Sequence, residues 1–254
     1  MIIAKEKSSI IVIHNRHHAF LASQIANILR PNIKIYVRNW LEHLIAIASH
    51  DDSYQLSEAR FYLDDKGRPK DFKNVELEPK ETINFLKNLE LKSQWIYLMS
   101  LCHLYERYQK QKSKASKEIL TFLKAEKIKV CKHLKITIKT AQQGHQILKW
   151  ADNFSMTLCR NLVNKDRILH YLPDLPGEVL SKIDIKDKNI TIQPEIIEKE
   201  FQRFSVEYKR IPNRAYKNDA DIFKTLAETK PEYKEWIIST SRYNPTHRLI
   251  TNNL

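Results

Sequence analysis

Three glycines in 254 residues leave this chain few places to turn tightly, because glycine alone enters left-handed backbone without steric cost. Such a composition suits helices. Asn15 is placed to cap "RHHAFLASQIANILR", which Pro31 closes. The next stretch, "YVRNWLEHLIAIASH", is apolar nearly all round and is predicted to lie in the middle of a bundle. Pro79 opens "KETINFLKNL", and longer helices are expected over "SQWIYLMSLCHLYERYQKQ", "ASKEILTFLKAEKIKVCKHL" and "GHQILKWADNFSMTLCRNLV". The pattern changes at both ends. "MIIAKEKSSIIVIHN" reads as a hairpin turning at Lys5 to Ser9, "PDLPG" breaks the helical periodicity, and "NITIQPEII" and "FSVEYKRIP" alternate as strands do. Short helical or extended pieces follow around "DADIFKTLAE" and "YKEWIIS". The expected fold is mainly α: a helical bundle with a small β-sheet from the N-terminal hairpin and the C-terminal strands. One domain over residues 1–254 is expected, with a helical body at about 15–165 and a C-terminal α/β appendage at about 175–254.

Lys and Arg number 43 against 30 Asp and Glu, a formal +13 that favours anionic partners without choosing among them. The lysines concentrate in "YERYQKQKSKASKEILTFLKAEKIKVCKHLKITIKT", which is either a solvated helix face or a surface that attracts nucleic acid. No apolar stretch reaches the roughly 20 residues needed to span a bilayer, so no membrane association is expected. The first residues lack the apolar core and cleavage site of a signal peptide, which predicts a cytoplasmic protein. Cys102, Cys131 and Cys159 read as reduced thiols in apolar faces.

The run "LIAIA" ends abruptly in "SHDDSY", Ser49 to Tyr54. A carboxylate at the end of a buried segment demands a partner. Four candidate ligand positions fall on separate predicted helices: His18, the His50/Asp51 pair, His103 and Asp152. Helical metal sites are built in this way, imidazole supplying neutral nitrogen and carboxylate supplying charge. Asp152 sits among Ile147, Leu148, Trp150 and Met156, where an unpaired charge costs several kcal/mol. Each residue also has a plainer reading. His50 and Asp51 can be a helix-end cation and a turn, His103 a core histidine, and Asp152 a partner of Lys149 one turn earlier. His43 and His145 are expected at the periphery of the same pocket. "KGRPKDF" reads as a turn with Asp71 bonding local backbone.

The order His, His-Asp, distant Asp in a helical body resembles the HD superfamily of metal-dependent phosphohydrolases. More closely, "HHAFLASQIA", "AIASHDDSY", "KGRPKDF", "LMSLCHLY" and "WADNFSMTLC" together resemble an uncharacterised bacterial family, a domain of unknown function with HD-like features. The resemblance implies an HD-like helical bundle in which His18, His50, Asp51, His103 and Asp152 hold a divalent metal: Mn, Fe, Mg or Zn. It departs from the HD pattern in two places. Asp52, Ser53 and Tyr54 follow the dyad where a small residue, glycine and often lysine are usual, and the loop after them is long enough to close over the pocket.

Function follows as an expectation. Asp51 is placed as the bridging ligand, His103 as ligand or phosphate contact, and Arg107, one turn after His103, as the clamp on a phosphate. The expected reaction is metal-dependent hydrolysis of a phosphate ester or nucleotide, an anionic small molecule. Alternatives are a non-catalytic binding or regulatory module using the same pocket, and nucleic-acid binding through the lysine-rich helices. Nothing in the sequence sets the oligomeric state.

Overall fold

The computed structural model describes residues 1–52, 63–71, 79–111, 113–164, 166–199 and 201–240. Strands β1 (Ile2–Lys5) and β2 (Ser9–Ile13) form the expected hairpin. The helices α1 (Asn15–Asn27), α2 (Pro31–Lys34), α3 (Trp40–Ser49), α4 (Pro79–Glu90), α5 (Gln94–Gln109), α6 (Lys114–His133) and α7 (Ile138–Arg160) follow. Then come β3 (Ile168–Leu175), β4 (Val179–Lys186), β5 (Asn189–Gln193), β6 (Phe201–Pro212), α8 (Asp219–Glu228) and β7 (Glu232–Thr240). Side chains start most of the longer helices by accepting otherwise unbonded amides: Asn39 for α3, Ser93 for α5, Ser113 for α6, Thr137 for α7 and Asn218 for α8. Asn15 does not cap α1; it is the first helical residue and is buried, with His14 in the cap position.

The strands overturn the expectation of a mainly α, HD-like bundle with a small sheet. Seven strands form one sheet in the order β1-β2-β6-β7-β5-β4-β3, antiparallel throughout except where β5 runs parallel to β7. Strands from both ends of the chain do meet, through β2 and β6. Of the strands not expected, β3 was masked by its proline, whereas β4 and β7 carry an alternation that is visible once their inward residues are known. Pro173 lies inside β3, where an edge strand with a register shift between Leu172 and Leu175 tolerates it. In β4 the inward residues Ser181, Ile183 and Ile185 alternate cleanly, and in β7 Trp236 and Ile238 do the same.

The sheet is covered unequally. Ile11 and Ile13 of β2 join the main core beneath the helices, while Ile10 and Val12 pack with Ile211, Ile222 and Leu226 under α8. Burial on both faces explains why "SIIVI" is a continuous apolar run. Helix α7 lies on the other end of the sheet: Trp150 donates its indole N–H to Ser181 Oγ on β4 at 2.8 Å, and Phe154 meets Phe204 of β6 edge to face. The central helix is α5 rather than α3. Every residue from Trp95 to Leu104 is buried, whereas α3 leaves Leu41 68% and Ile45 42% exposed.

"KGRPKDF" also behaves differently from its sequence reading. Gly67, at φ +68°, accepts from the Tyr216 amide through its carbonyl at 2.8 Å, and Asp71 accepts from the Ile3 amide of β1 at 3.2 Å. This turn is tied to the sheet end of the molecule. The three cysteines are free and buried. Among the described residues, no helix is long and apolar enough to cross a membrane. The segments 53–62 and 72–78, which carry Ser53, Tyr54 and most of the loop expected over the pocket, lie outside the described residues.

Two measurements check this packing. Alanine at Gly144 would bring its Cβ to 2.8 Å from Trp95 Cζ2 and 3.0 Å from Cη2. Overpacking a rigid indole costs about 1–3 kcal/mol, more than the roughly 1 kcal/mol gained in helix propensity, so Gly144→Ala lowers the urea midpoint. His43, between the rings of Trp40 and Trp95, accepts the Trp95 indole N–H at Nδ1 and is pushed down to about 3, first by burial and then by His145. Its imidazole is neutral when folded and protonated when unfolded below about pH 6.5. Stability therefore falls as pH drops from about 6.5 towards 3, by about 1.4 kcal/mol per pH unit for this group. His43→Gln, which keeps an acceptor but cannot titrate, flattens the slope of chemical-denaturation stability over that range by about one proton.

Candidate functional site

Helix α1 turns Leu21, Ala22 and Ile25 into the core, and the same buried side carries His18, which is 0% exposed. Helix α3 ends at His50, whose backbone N–H and ring Nδ1 both reach the carbonyl of Ile47, the ring at 2.6 Å. The abrupt end of "LIAIAS" thus locks an imidazole at the helix terminus and sets Asp51 directly after it. Helix α7 has two working faces. Trp150 and Phe154 face the sheet, while Asp152 and Ser155, three residues apart, face α1. Helix α5 brings His103, with Arg107 one turn later.

These residues converge. His18 Nε2 lies 3.1 Å from Asp152 Oδ1 and 3.5 Å from Asp51 Oδ2, and His50 Nε2 lies 3.4 Å and 3.7 Å from the same two oxygens. Donor atoms of His18, His50 and Asp152 all fall within 4.8 Å of one another, as do those of His50, Asp51 and His103. The rings of His50 and His18 stand 5.3 Å apart, those of His50 and His103 4.9 Å. Asp51 turns its other oxygen to Arg107, Oδ1 to Nη1 at 3.5 Å. All five expected ligands and Arg107 therefore belong to one cluster.

Hydrogen bonds fix which nitrogens point inward. The His50 Nδ1–H donates to the Ile47 carbonyl. Ser155 donates its hydroxyl to the Asp152 carbonyl at 3.0 Å, so the Ser155 oxygen is left to accept from His18 Nδ1–H at 2.7 Å. Both imidazoles consequently present Nε2 to the carboxylates. Yet His18 Nε2, His50 Nε2, His103 Nε2 and Asp51 Oδ1 are buried and form no hydrogen bond of acceptable geometry. Asp51 Oδ1 faces Arg107, but three unbonded imidazole nitrogens in one place are exceptional in a folded protein and call for a partner. Bonds of about 2.1 Å to one ion set neighbouring ligand atoms about 3.0 Å apart in an octahedron and about 3.4 Å in a tetrahedron. The N to O separations of 3.1, 3.4, 3.5 and 3.7 Å are close to those edges. The residues present fit a divalent cation.

The electrostatics agree. Burial opposes charge on His18 and His50, but the carboxylates of Asp152 and Asp51 outweigh it and raise both imidazoles above the usual histidine range. Burial likewise opposes charge on Asp51 and Asp152, and the two imidazoles overcome it, holding both carboxyls below their ordinary range. Two protons thus balance two carboxylates, the charge that one divalent cation supplies. His103 is driven the other way, well below the histidine range, by burial and by the cationic His50.

A cavity of about 390 Å³ opens beside the cluster, bordered by Asp51, His103 and Asp152 and by the cations Arg107, Lys110, Lys149 and Arg160. Lys149 does not pair with Asp152, the alternative its spacing offered; its ammonium lies 2.8 Å from Glu106 Oε1. His145 stands behind His103, ring to ring at 6.1 Å, and His43 is enclosed by Trp40 and Trp95 away from the ligands. Ser155, Glu106 and Arg160 were not singled out from sequence. Only Ser155 carried a signal, its place three residues after Asp152.

Residues 1–213 match the family model described as "Protein of unknown function (DUF3891)", and the chain belongs to that family. No curated protein and no solved structure matches it.

The Ser155 hydroxyl orients His18 without being a ligand itself. Ser155→Ala is expected to leave the far-ultraviolet circular dichroism unchanged and to weaken Mn²⁺ or Zn²⁺ binding about 10–100-fold, read by competition with a chelating dye.

Proposed function

We propose that this DUF3891 member is a metal-dependent phosphohydrolase whose centre is built by His18, His50, Asp51 and Asp152, with His103 completing it. The observation that carries the reading is that the buried, unbonded Nε2 atoms of His18 and His50 stand 3.1–3.7 Å from Asp152 Oδ1 and Asp51 Oδ2, as neighbouring ligands of a single ion would. The order of His18, His50-Asp51 and Asp152 along α1, α3 and α7, on which the resemblance to HD-type phosphohydrolases rests, supports it. His18, His50, Asp51 and Asp152 would hold the cation, which when bound would supply Lewis acidity for a phosphoryl oxygen and for an attacking water.

The chain's own residues supply the rest. The Asp51 and Asp152 carboxylates offset the ion's charge, and the Ser155 and Ile47 contacts keep both imidazole Nε2 atoms facing it. Arg107, bordering the cavity and leaning on Asp51, is placed to steady two phosphoryl oxygens with its fork of N–H donors. Lys110, Lys149 and Arg160 draw the anion to the cavity mouth. Hydrolysis puts a water hydroxyl on phosphorus, breaks the ester P–O bond and leaves the second water proton with the departing alcohol.

Elemental analysis and a phosphatase and phosphodiesterase screen with added Mn²⁺ test the reading. Bound metal and activity are expected in the parent chain. His50→Ala loses the metal, and Asp51→Asn and Asp152→Asn lower kcat about 100-fold or more. Activity that survives EDTA, or a chain that takes up no divalent ion, overturns it; metal retained without turnover on any ester favours the binding-module alternative.

A further inference from the structure

The cavity beside the cluster is longer than one phosphoryl group needs. Its α7 wall is made by Lys149, Asp152, Asn153, Met156 and Arg160, one face of the helix over about three turns. At about 1.5 Å of rise per residue, Arg160 lies about 12 Å along the axis from Asp152. Helical side chains lean over the turn before them, the long arginine by about one turn more than the aspartate, so roughly 5 Å or more still separates fork from carboxylate. A phosphoryl oxygen on the proposed ion stands only about 2.1 Å from it. A phosphoryl group held by the cluster and Arg107 therefore leaves the Arg160 end of the cavity to something else.

Two features say what belongs there. Between the cluster and Arg160 the lining includes an uncharged stretch: Asn153 and Met156 from α7, and Gln111 just past the end of α5. Two amides and a thioether suit a carbon skeleton that carries hydroxyls. The second feature is charge. Among the described residues that line the cavity, the cations are Arg107, Lys110, Lys149 and Arg160, and the carboxylates are Asp51, Glu106 and Asp152. Four cationic side chains and the two charges of a divalent ion against three carboxylates leave three positive charges for the ligand to answer. One phosphate monoester brings about 1.5–2 negative charges at pH 7, and two bring about 3–4.

We propose that the substrate is a bisphosphate, an organic ester whose second phosphate, separated from the scissile one by a carbon skeleton, is held by Arg160. The guanidinium fork fits two oxygens of that distal group, which makes Arg160 the residue that selects for it. Which phosphate is cleaved rests on the phosphohydrolase reading; the anion site at Arg160 can be read by binding alone.

Fructose 1,6-bisphosphate, fructose 6-phosphate and pyrophosphate test the site in calorimetric titrations of the full chain stripped of metal. The bisphosphate is expected to bind at least about 10-fold more tightly than either of the others, the margin that one charge-assisted contact supplies. Pyrophosphate has the charge without the separation, so equal affinity for it and the bisphosphate overturns the inference. Arg160→Gln, at the last residue of α7, is expected to abolish the margin over fructose 6-phosphate. Lys117→Gln, which removes the same charge from an exposed position on α6, is expected to keep it. A margin that survives Arg160→Gln, or that falls equally in both variants, overturns the inference. With Mn²⁺, kcat/KM for the bisphosphate should exceed that for fructose 6-phosphate by a similar factor in the parent chain. Hydrolysis of both esters at equal kcat/KM keeps the hydrolase reading and overturns the bisphosphate; discrimination in binding with neither ester hydrolysed supports the Arg160 site while removing the hydrolase reading.

Discussion

Two imidazoles and the Asp51 carboxylate are buried against a second carboxylate, Asp152, at the floor of a cavity, and the helical half of this molecule is arranged around that fact. Asp51 is 3% exposed and His18 and His50 are fully buried. An isolated charge there would cost several kcal/mol, so none of the four tolerates loss of its neighbours. The requirement fixes which helices meet. Helix α1 must deliver His18, the end of α3 must deliver His50 and Asp51, and α7 must deliver Asp152 to within 3.1–3.7 Å of the imidazoles. Apolar burial alone would permit many registers among these helices. Convergence of the polar atoms permits few.

The sheet makes that convergence rigid. Helix α7 presses Trp150 and Phe154 on β4 and β6 while its other side carries Asp152 and Ser155. Functional groups hold their geometry best on elements whose far side is packed. Because β2 and β6 join the two ends of the chain in one sheet, the platform beneath α7 is closed by residues some 200 positions apart. The site is therefore a product of long-range pairing, although every proposed ligand lies in residues 18–152.

That division explains what could be read in advance. His18, His50, Asp51, His103 and Asp152 were visible because each is polar in a locally apolar helix, a contradiction that only tertiary structure resolves. Arg107 followed from helical spacing. The sheet was not visible to the same degree: Pro173 mimics a break, and "YKEWIIS" is too short to separate strand from helix by period alone. The reversal of α3 and α5 has a similar cause. Both are apolar over most of their surface, and only the packing shows that Leu41 and Ile45 face outward. Asp71 was read as a local turn residue, yet its carboxylate reaches Ile3, a partner no local pattern can name. Ser155 needed the opposite insight, that a small hydroxyl matters through the histidine it orients.

The formal charge of +13 now acquires a spatial meaning. The exposed lysines of α6, among them Lys117, Lys124 and Lys132, are spread along a solvated helix, where they raise the long-range potential without converging on a point. Arg107, Lys110, Lys149 and Arg160 instead ring one cavity. Charge of the first kind speeds the arrival of any anion and is screened by salt; charge of the second kind acts over a few ångströms and selects shape. Within the ring the cations are not equivalent. Lys149 and Lys110 lean on Glu106, at 2.8 and 3.9 Å, whereas Arg107 leans on Asp51 itself. An anion such as the phosphoryl group proposed above would displace Glu106 from the lysines at the cost of exposed ion pairs worth about 1 kcal/mol or less. Drawing Arg107 away from Asp51 disturbs a buried carboxylate, so the arginine is the cation whose geometry is coupled to the cluster, and the lysines are those free to follow the ligand.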